Sequence, residues 1–195
     1  MKTGAWETPF GDLQIEESLA GELAREFPFQ IETADDHTQD NTIELQLPFI
    51  KHFFSDSKIV PIGVPPRTSS LEIGRSAAAI AQRLGLNVKV VGSTDLTHYG
   101  TNYGFTPEGT GSKSVEWVRN TNDRKMIDTM LKMDPEAVVR EALSQQNACC
   151  SGAAATAIAA AKTLGAESAE TVAYATSYDI HPDDSFVGYV GILFS

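Results

Sequence analysis

The segment over residues 88–100, VKVVGSTDLTHYG, is an apolar run followed by a cluster of polar side chains. Asp95 stands three residues before His98, a spacing that lets the carboxylate orient the imidazole while His98 acts as an acid or base. Open α/β sheets keep their chemistry at the ends of buried strands. The pattern predicts a catalytic pair, Asp95 and His98, with Thr94 and Tyr99 in the same pocket. The alternative is an ordinary turn or helix cap.

The two cysteines of the chain, Cys149 and Cys150, are neighbours in sequence. They stand at the start of a predicted helix, where free amides and the helix dipole favour an anionic thiolate. Cys149 is therefore predicted to be a metal ligand or a nucleophile. The alternative is that both thiols pack in the core as small apolar groups. Adjacent cysteines imply no disulfide framework, and reduced thiols fit a cytoplasmic protein.

A polar loop over residues 35–41 precedes another candidate face. Asn41 and Glu44 stand three residues apart and share one face of a predicted helix, which could enter a binding pocket. The alternative is a structural role, in which Asp40 or Asn41 caps the N-terminus of the helix together with Glu44. His37 is interpreted as a solvated loop residue.

The periodicity of apolar residues predicts the elements that must position these groups. Predicted helices cover residues 16–27, 42–50, 69–84, 115–133, 136–143 and 149–164. Predicted strands cover residues 29–31, 58–64, 87–92, 171–177 and 186–194. Pro48 predicts a kink or boundary near Leu47, and Asp134 is expected to cap the helix that Pro135 opens. The last two strands are expected to pair as a hairpin, in a mixed sheet flanked by helices.

The composition excludes several classes of partner. The chain has 195 residues, with 15 basic and 26 acidic side chains and a net charge of -11. We therefore expect no binding to nucleic acid or to an anionic membrane surface. No stretch predicts a membrane span or a secretory signal, which favours a cytoplasmic location. The sequence also has no Walker loop, no dinucleotide-binding glycine motif, no His-Glu-x-x-His and no Cys-x-x-Cys.

Four motifs occur in an order that resembles a known family. They are WETPFG at residues 6–11, TIELQLPF at 42–49, STDLTHYG at 93–100 and the two closing segments at 174–177 and 187–189. Together they resemble Memo-like proteins, which include protein B of the AmmeMemoRadiSam system and are similar to LigB-type extradiol dioxygenases. The resemblance implies one domain over residues 1–195. It also implies an α/β fold, a three-layer α/β/α sandwich with a mixed, mainly parallel sheet.

The resemblance also implies a pocket derived from a metal-dependent enzyme. In the family, two histidines and a cysteine line this pocket, near an Asp and a His that Asp95 and His98 match. Cys149 matches the family cysteine, which is normally followed by glycine, whereas Cys150 follows it here. Asn41 stands where the family has a ligating histidine. The other histidine comes from a strand before the residue 6–11 motif, so we expect that strand to be lacking, with an exposed sheet edge, a homo-oligomer or a misplaced start codon as consequences.

Three functional hypotheses follow. The first is a dioxygenase-like protein that uses iron, copper or zinc on a small molecule, with His98 as acid or base and Cys149 as a ligand. The second is a non-catalytic ligand-binding or scaffold protein that works beside a radical-SAM protein of the same system. The third is a hydrolase or transferase in which Cys149 is the nucleophile, His98 its base and Asp95 the orienting group.

Overall fold

A computed structural model of the chain describes residues 1–33, 35–38 and 41–195, apart from the side chain of Asn41. Packing divides the chain into two compact units, residues 1–63 with 79–88 and residues 64–78 with 89–195. The helices are α1 Glu17–Glu26, α2 Asn41–Glu44, α3 Leu47–Phe53, α4 Ser70–Arg83, α5 Ser112–Trp117, α6 Asp123–Leu131, α7 Pro135–Gln145 and α8 Ser151–Thr163. The strands are β1 Ala5–Trp6, β2 Leu13–Gln14, β3 His98–Tyr99, β4 Ala169–Thr176 and β5 Phe186–Phe194. Helices and two small sheets give the predicted α/β class.

In the first unit, β1 pairs antiparallel with β2, and α1 packs its apolar face inward. Leu19 and Leu23 are buried because residues four apart lie on the same side of a helix. The Arg83 guanidinium lies 2.8 Å from the Glu22 carboxylate, and both side chains remain partly exposed. This pair therefore adds little to stability compared with the buried apolar face.

The second unit contains a three-stranded sheet in the order β3-β5-β4. The β4 and β5 strands pair antiparallel, as predicted for the hairpin, with an irregularity between Thr171 and Ala173. One face of this hairpin packs on a buried cluster from α6, α7 and α8 that includes Met126, Val138 and Ile158. A second cluster surrounds Tyr99, between β3, β5 and α5.

Small residues let other segments of the second unit approach α8 closely. The backbone at Gly92 lies so near this helix that a Cβ there would stand 2.7 Å from the Cβ of Ala157. The helix buries Ala155, Ala159 and Ala160. The close packing of this helix thus explains its alanine-rich sequence.

The predicted helices are confirmed with shifted ends. The segment predicted over 42–50 divides into α2 and α3 at Leu47, where Pro48 occupies the first turn of the second helix. Asp134 accepts a hydrogen bond of 3.0 Å from the Ala137 amide and so caps α7. The helix predicted over 115–133 starts earlier, as α5, and passes through a π-helical turn at Val118–Asn122 into α6. Short 3-10 turns occupy Thr101–Tyr103 and Ser177–Asp179.

Three strand predictions were wrong. Residues 29–31 and 87–92 form no strand, and the segment over 58–64 pairs only through a parallel bridge between Ile15 and Ile59. Val90 and Val91 are exposed, so the apolar run before Asp95 is not a buried strand. Apolar β-branched runs show that a segment favours extended backbone, but pairing needs a neighbour with matching register. Among the residues that the structure describes, the named strands pair antiparallel, whereas the isolated bridge between Ile15 and Ile59 is parallel.

Asp40, a predicted helix cap, lies outside the described residues, as does the side chain of Asn41, the other candidate. Within the described part of the chain, no helix is long and apolar enough to cross a lipid bilayer.

We predict that Gly188→Ala destabilises the second unit by about 1–3 kcal/mol, the usual cost of overpacking. A Cβ at residue 188 would collide with the carboxylate of the buried Asp123. Gly191→Ala is the matched control in the same strand, because a Cβ there finds its nearest neighbour at 3.8 Å. Urea unfolding followed by circular dichroism measures both variants. Equal midpoints for the two would contradict this packing.

Candidate functional site

The segment that leads to His98 is held against β5 by backbone hydrogen bonds. The Leu96 amide donates to the Gly188 carbonyl at 2.9 Å, and the Gly188 amide donates to the Thr97 carbonyl at 3.0 Å. His98 then enters β3 opposite Val187. The positions of these residues are therefore fixed by the hairpin, even though the preceding apolar run is unpaired.

Asp95 and His98 are in direct contact. The His98 Nε2 atom lies 3.2 Å from Asp95 Oδ2, and the two side chains are 34% and 44% exposed. When the neutral ring donates its Nε2 hydrogen to the carboxylate, Nδ1 keeps a lone pair. That lone pair can bind a metal ion or accept a proton. The Tyr103 ring packs on the imidazole, with 4.8 Å between the ring centroids.

A turn from another part of the second unit brings Cys149 beside this pair. The Cys149 amide donates to the Asp95 carbonyl at 3.2 Å, and the Cys150 amide donates to Thr94 Oγ1 at 3.0 Å. The Thr94 hydroxyl lies 4.0 Å from Cys149 Sγ. Two segments more than fifty residues apart in the chain are thus joined through backbone groups and one hydroxyl.

The side chains of Asp95, His98 and Cys149 form a cluster whose donor atoms could surround one metal ion. One ligand atom from each lies within 4.8 Å of the other two. Bonds of about 2.0–2.3 Å to a shared ion place its ligand atoms no more than about 4.6 Å apart, so the cluster has nearly the size of a coordination sphere. A carboxylate oxygen, an imidazole nitrogen and a thiolate suit iron, copper or zinc. Three protein ligands would leave a position for water or substrate, as in catalytic zinc sites.

A buried carboxylate lies behind the cluster. Asp123 is fully buried and accepts hydrogen bonds from the Thr97 amide at 3.0 Å, from the Thr97 hydroxyl and from the Tyr174 hydroxyl at 2.7 Å. Burial raises the pKa of Asp123, and the hydrogen bonds from Thr97 and Tyr174 oppose that rise. The pKa of Tyr174 is raised as well, first by burial and then by the Asp123 charge. Asp123 positions Thr97, the residue directly before His98.

Two buried asparagines extend this network to the turn at Cys149 and Cys150, called the cysteine turn below. Asn122 donates from Nδ2 to the Thr97 hydroxyl at 3.0 Å. Asn147 donates from Nδ2 to the Asn122 carbonyl at 2.9 Å, and it stands two residues before Cys149. The π-helical turn that ends at Asn122 places Asn122 and Asp123 next to Thr97. Such turns occur often at functional sites, because they shift side chains out of the normal helical positions.

An open groove of about 360 Å³ lies beside His98 and Cys149. Its lining is mostly apolar and aromatic, and comprises Leu96, His98, Tyr103, Phe105, Ala142, Leu143, Gln146, Ala148 and Cys149. A groove of this size and lining fits a small organic molecule.

Sequence reasoning missed Asp123 and Tyr103, because each stands in a segment that shows an ordinary helix or loop pattern. The nearest signal for Tyr103 is the glycine-rich composition of residues 100–114, which is typical of a loop that could border a site. Tyr189 was missed as well: burial and then the charge of Asp95 raise its pKa, so it belongs to the surroundings of the cluster.

The other predicted pocket residues are distributed differently. Tyr99 follows His98 in β3, and successive side chains of a strand point to opposite faces. Its ring is fully buried beside Phe105 and Phe186, and its hydroxyl donates to the Gly109 carbonyl at 2.9 Å. The structure thus places Tyr99 in the core and Thr94 at the cysteine turn. Glu44 is exposed on α2 in the first unit, and its pocket role stays a prediction.

Comparison with known proteins identifies the chain's relatives. The sequence model of the Memo-like protein family matches residues 1–193. The chain belongs to the Memo-like family. A MEMO1 family protein of Pyrococcus furiosus is 32% identical over 97% of this chain and 68% of its own length. The corresponding protein of Methanococcoides burtonii is 33% identical over 99% of the chain and 69% of its own length.

A third Memo-like relative, from Methanopyrus kandleri, is 32% identical over 100% of this chain and 65% of its own length. The chain thus spans about two thirds of the length of these relatives. The family resemblance of the four motifs is confirmed, and Asp95, His98 and Cys149 lie within the matched region.

We predict that the Asp123→Asn variant changes the pH dependence of stability. The folded pKa of Asp123 is raised above 3.8, so the folded protein binds more protons than the unfolded chain between the two values. The free energy of unfolding therefore falls as pH rises through that interval. The near-isosteric amide keeps an acceptor for Thr97 and does not titrate. Urea unfolding at a series of pH values should show the wild type losing stability relative to the variant from about pH 4 upward. Parallel pH profiles would contradict this assignment.

Proposed function

We propose that Asp95, His98 and Cys149 hold a transition-metal ion, iron, copper or zinc, and that the adjacent groove binds the small molecule on which the protein acts. The observation that carries this proposal is the convergence of three different donor groups within 4.8 Å. Exposed acidic groups often cluster without a metal, but this cluster also contains a thiol and an imidazole, which are ligands that iron, copper and zinc favour. The resemblance of the four motifs to a metal-dependent family supports a metal near Cys149, whereas the ligand roles of Asp95 and His98 rest on their distances.

The geometry suggests a division of roles among the side chains. Before an ion binds, the contact with Asp95 holds the His98 ring beside Cys149, and an ion would replace this hydrogen bond by bonds to both side chains. The Tyr103 ring packs beside the imidazole and limits its rotation. An ion bound here supplies Lewis acidity and, for iron or copper, redox chemistry. The apolar wall around Leu143 and Phe105 holds a substrate beside the cluster.

A cobalt titration tests the metal proposal. We expect purified, reduced protein to bind Co²⁺ with a visible d–d spectrum and a near-ultraviolet band from the thiolate. Cys149→Ser should abolish that near-ultraviolet band. His98→Ala and Asp95→Ala should weaken binding by at least about 10–100-fold, since loss of an orienting partner alone costs that much.

His181→Ala is the matched control, because His181 is an exposed histidine outside the cluster. Its cobalt affinity should equal that of the wild type. Failure of the wild type to bind cobalt, or full affinity in Cys149→Ser, would rule the proposal out.

The Asp95–His98 hydrogen bond favours a second candidate, in which Cys149 is a nucleophile activated by His98. In that case His98→Ala should slow alkylation of Cys149 by iodoacetamide, on the order of tenfold or more, because the imidazole no longer accepts the thiol proton. Peptide mass spectrometry separates Cys149 from Cys150 and supplies an internal reference. An unchanged alkylation rate at Cys149 would eliminate this candidate.

A further inference from the structure

The turn that carries the proposed ligand Cys149 holds a second sulfur at the next position. Cys149 Sγ and Cys150 Sγ are 3.6 Å apart, with Cys149 exposed and Cys150 partly buried. A disulfide bond measures about 2.05 Å, so the two sulfurs need to approach by only about 1.5 Å. We propose that Cys149 and Cys150 form a reversible vicinal disulfide that removes the Cys149 thiolate from the cluster. The effect on metal binding rests on the proposed function, whereas formation of the bond does not.

The backbone around the two cysteines is held from both sides. The Cys149 amide donates to the Asp95 carbonyl, and the Cys150 amide donates to the Thr94 hydroxyl. The Cys150 carbonyl accepts the amide hydrogen bond of Ala153 at 2.9 Å in the first turn of α8. Side-chain rotation can bring the two sulfurs together, while the held peptide between the cysteines takes up the strain of the eight-membered ring. Cys149 Sγ lies 3.6 Å from Cys150 Sγ in the same conformation in which it faces Asp95 and His98, so the disulfide would consume the sulfur that the cluster needs.

The oxidation is balanced with a hydroperoxide as the oxidant. The exposed Cys149 thiolate attacks the peroxide oxygen, the O–O bond breaks, and Cys149 becomes a sulfenic acid while the peroxide is reduced to an alcohol or water. The Cys150 thiol then attacks the sulfenic sulfur, the S–O bond breaks, and water leaves with the thiol proton. The net change is the loss of two hydrogen atoms from the protein. A disulfide sulfur carries no negative charge and is a poor metal ligand compared with a thiolate.

The bond should be easily reversed. Adjacent Cα atoms across a trans peptide are about 3.8 Å apart, which is shorter than the span of about 4.4–6.8 Å usual for disulfides. A bond closed over so short a span is strained, and strained disulfides are the reducible, regulatory ones. A dithiol reductant restores both thiols by exchange.

The test compares the reduced and the peroxide-treated 195-residue chain at low concentration. One equivalent of hydrogen peroxide should lower the intact mass by two hydrogen atoms, and a peptide containing both cysteines should carry the change. Cobalt affinity should fall by at least about tenfold, the lower limit for loss of a ligand contact, and dithiothreitol should restore it. Non-reducing electrophoresis should show monomer.

Cys150→Ser is the matched control, because serine also suits the position before a helix. In this variant the same treatment should produce no loss of two hydrogen atoms, and dimedone should trap the Cys149 sulfenic acid. In the wild type, ring closure should outcompete dimedone. The cobalt affinity of Cys150→Ser before oxidation should equal that of the wild type.

Failure of this inference is separable from failure of the metal proposal. A dimedone adduct on wild-type Cys149, or disulfide-linked dimers in place of the internal bond, overturns the vicinal disulfide. Formation of the bond without loss of cobalt affinity overturns its regulatory effect. Reduced protein that binds no cobalt overturns the metal site and the regulation together, while the mass measurement still decides the disulfide.

Discussion

Burial of the Asp123 carboxylate is the constraint on which the rest of the site depends. A fully buried carboxylate is costly unless its oxygens receive hydrogen bonds, and Thr97 and Tyr174 supply them. Thr97 must therefore present both its amide and its hydroxyl to Asp123, which fixes the backbone one residue before His98. Tyr174 comes from β4, so the same carboxylate ties the hairpin to the helix that starts at Asp123.

The hairpin contributes to this arrangement through one glycine. Gly188 exchanges backbone hydrogen bonds with Leu96 and Thr97, while its missing side chain leaves space for the Asp123 carboxylate. A larger residue would push the carboxylate away from Thr97 or the strand away from residues 96–97. The position of His98 thus follows from close packing of strand, carboxylate and threonine, and only secondarily from the β3 ladder, which is two residues long.

Local patterns predicted the helices and the hairpin, because apolar spacing and caps such as Asp134 are properties of short segments. They also identified Asp95, His98 and Cys149 as chemically capable residues. They could not predict that residues 87–92 lack a strand partner, since pairing depends on distant segments. Nor could they identify Asp123, whose neighbours show an ordinary helical pattern and whose importance comes from the π-helical turn and from burial. The burial of Tyr99, beside the partly exposed His98, likewise follows from tertiary packing.

The contacts of Thr94 and Asp95 with the cysteine turn place Cys149 Sγ where it could either bind a metal ion or form a disulfide with Cys150. The backbone bonds hold Cys149 near Asp95, and its Sγ lies close both to the imidazole and carboxylate and to Cys150 Sγ, 3.6 Å away. A thiolate bound to a metal donates its lone pair and is less available to attack an oxidant. Metal occupancy should therefore protect the pair from oxidation, and oxidation should exclude the metal. This mutual exclusion follows from the presence of one sulfur between two partners, and it requires no movement of the hairpin or of α8.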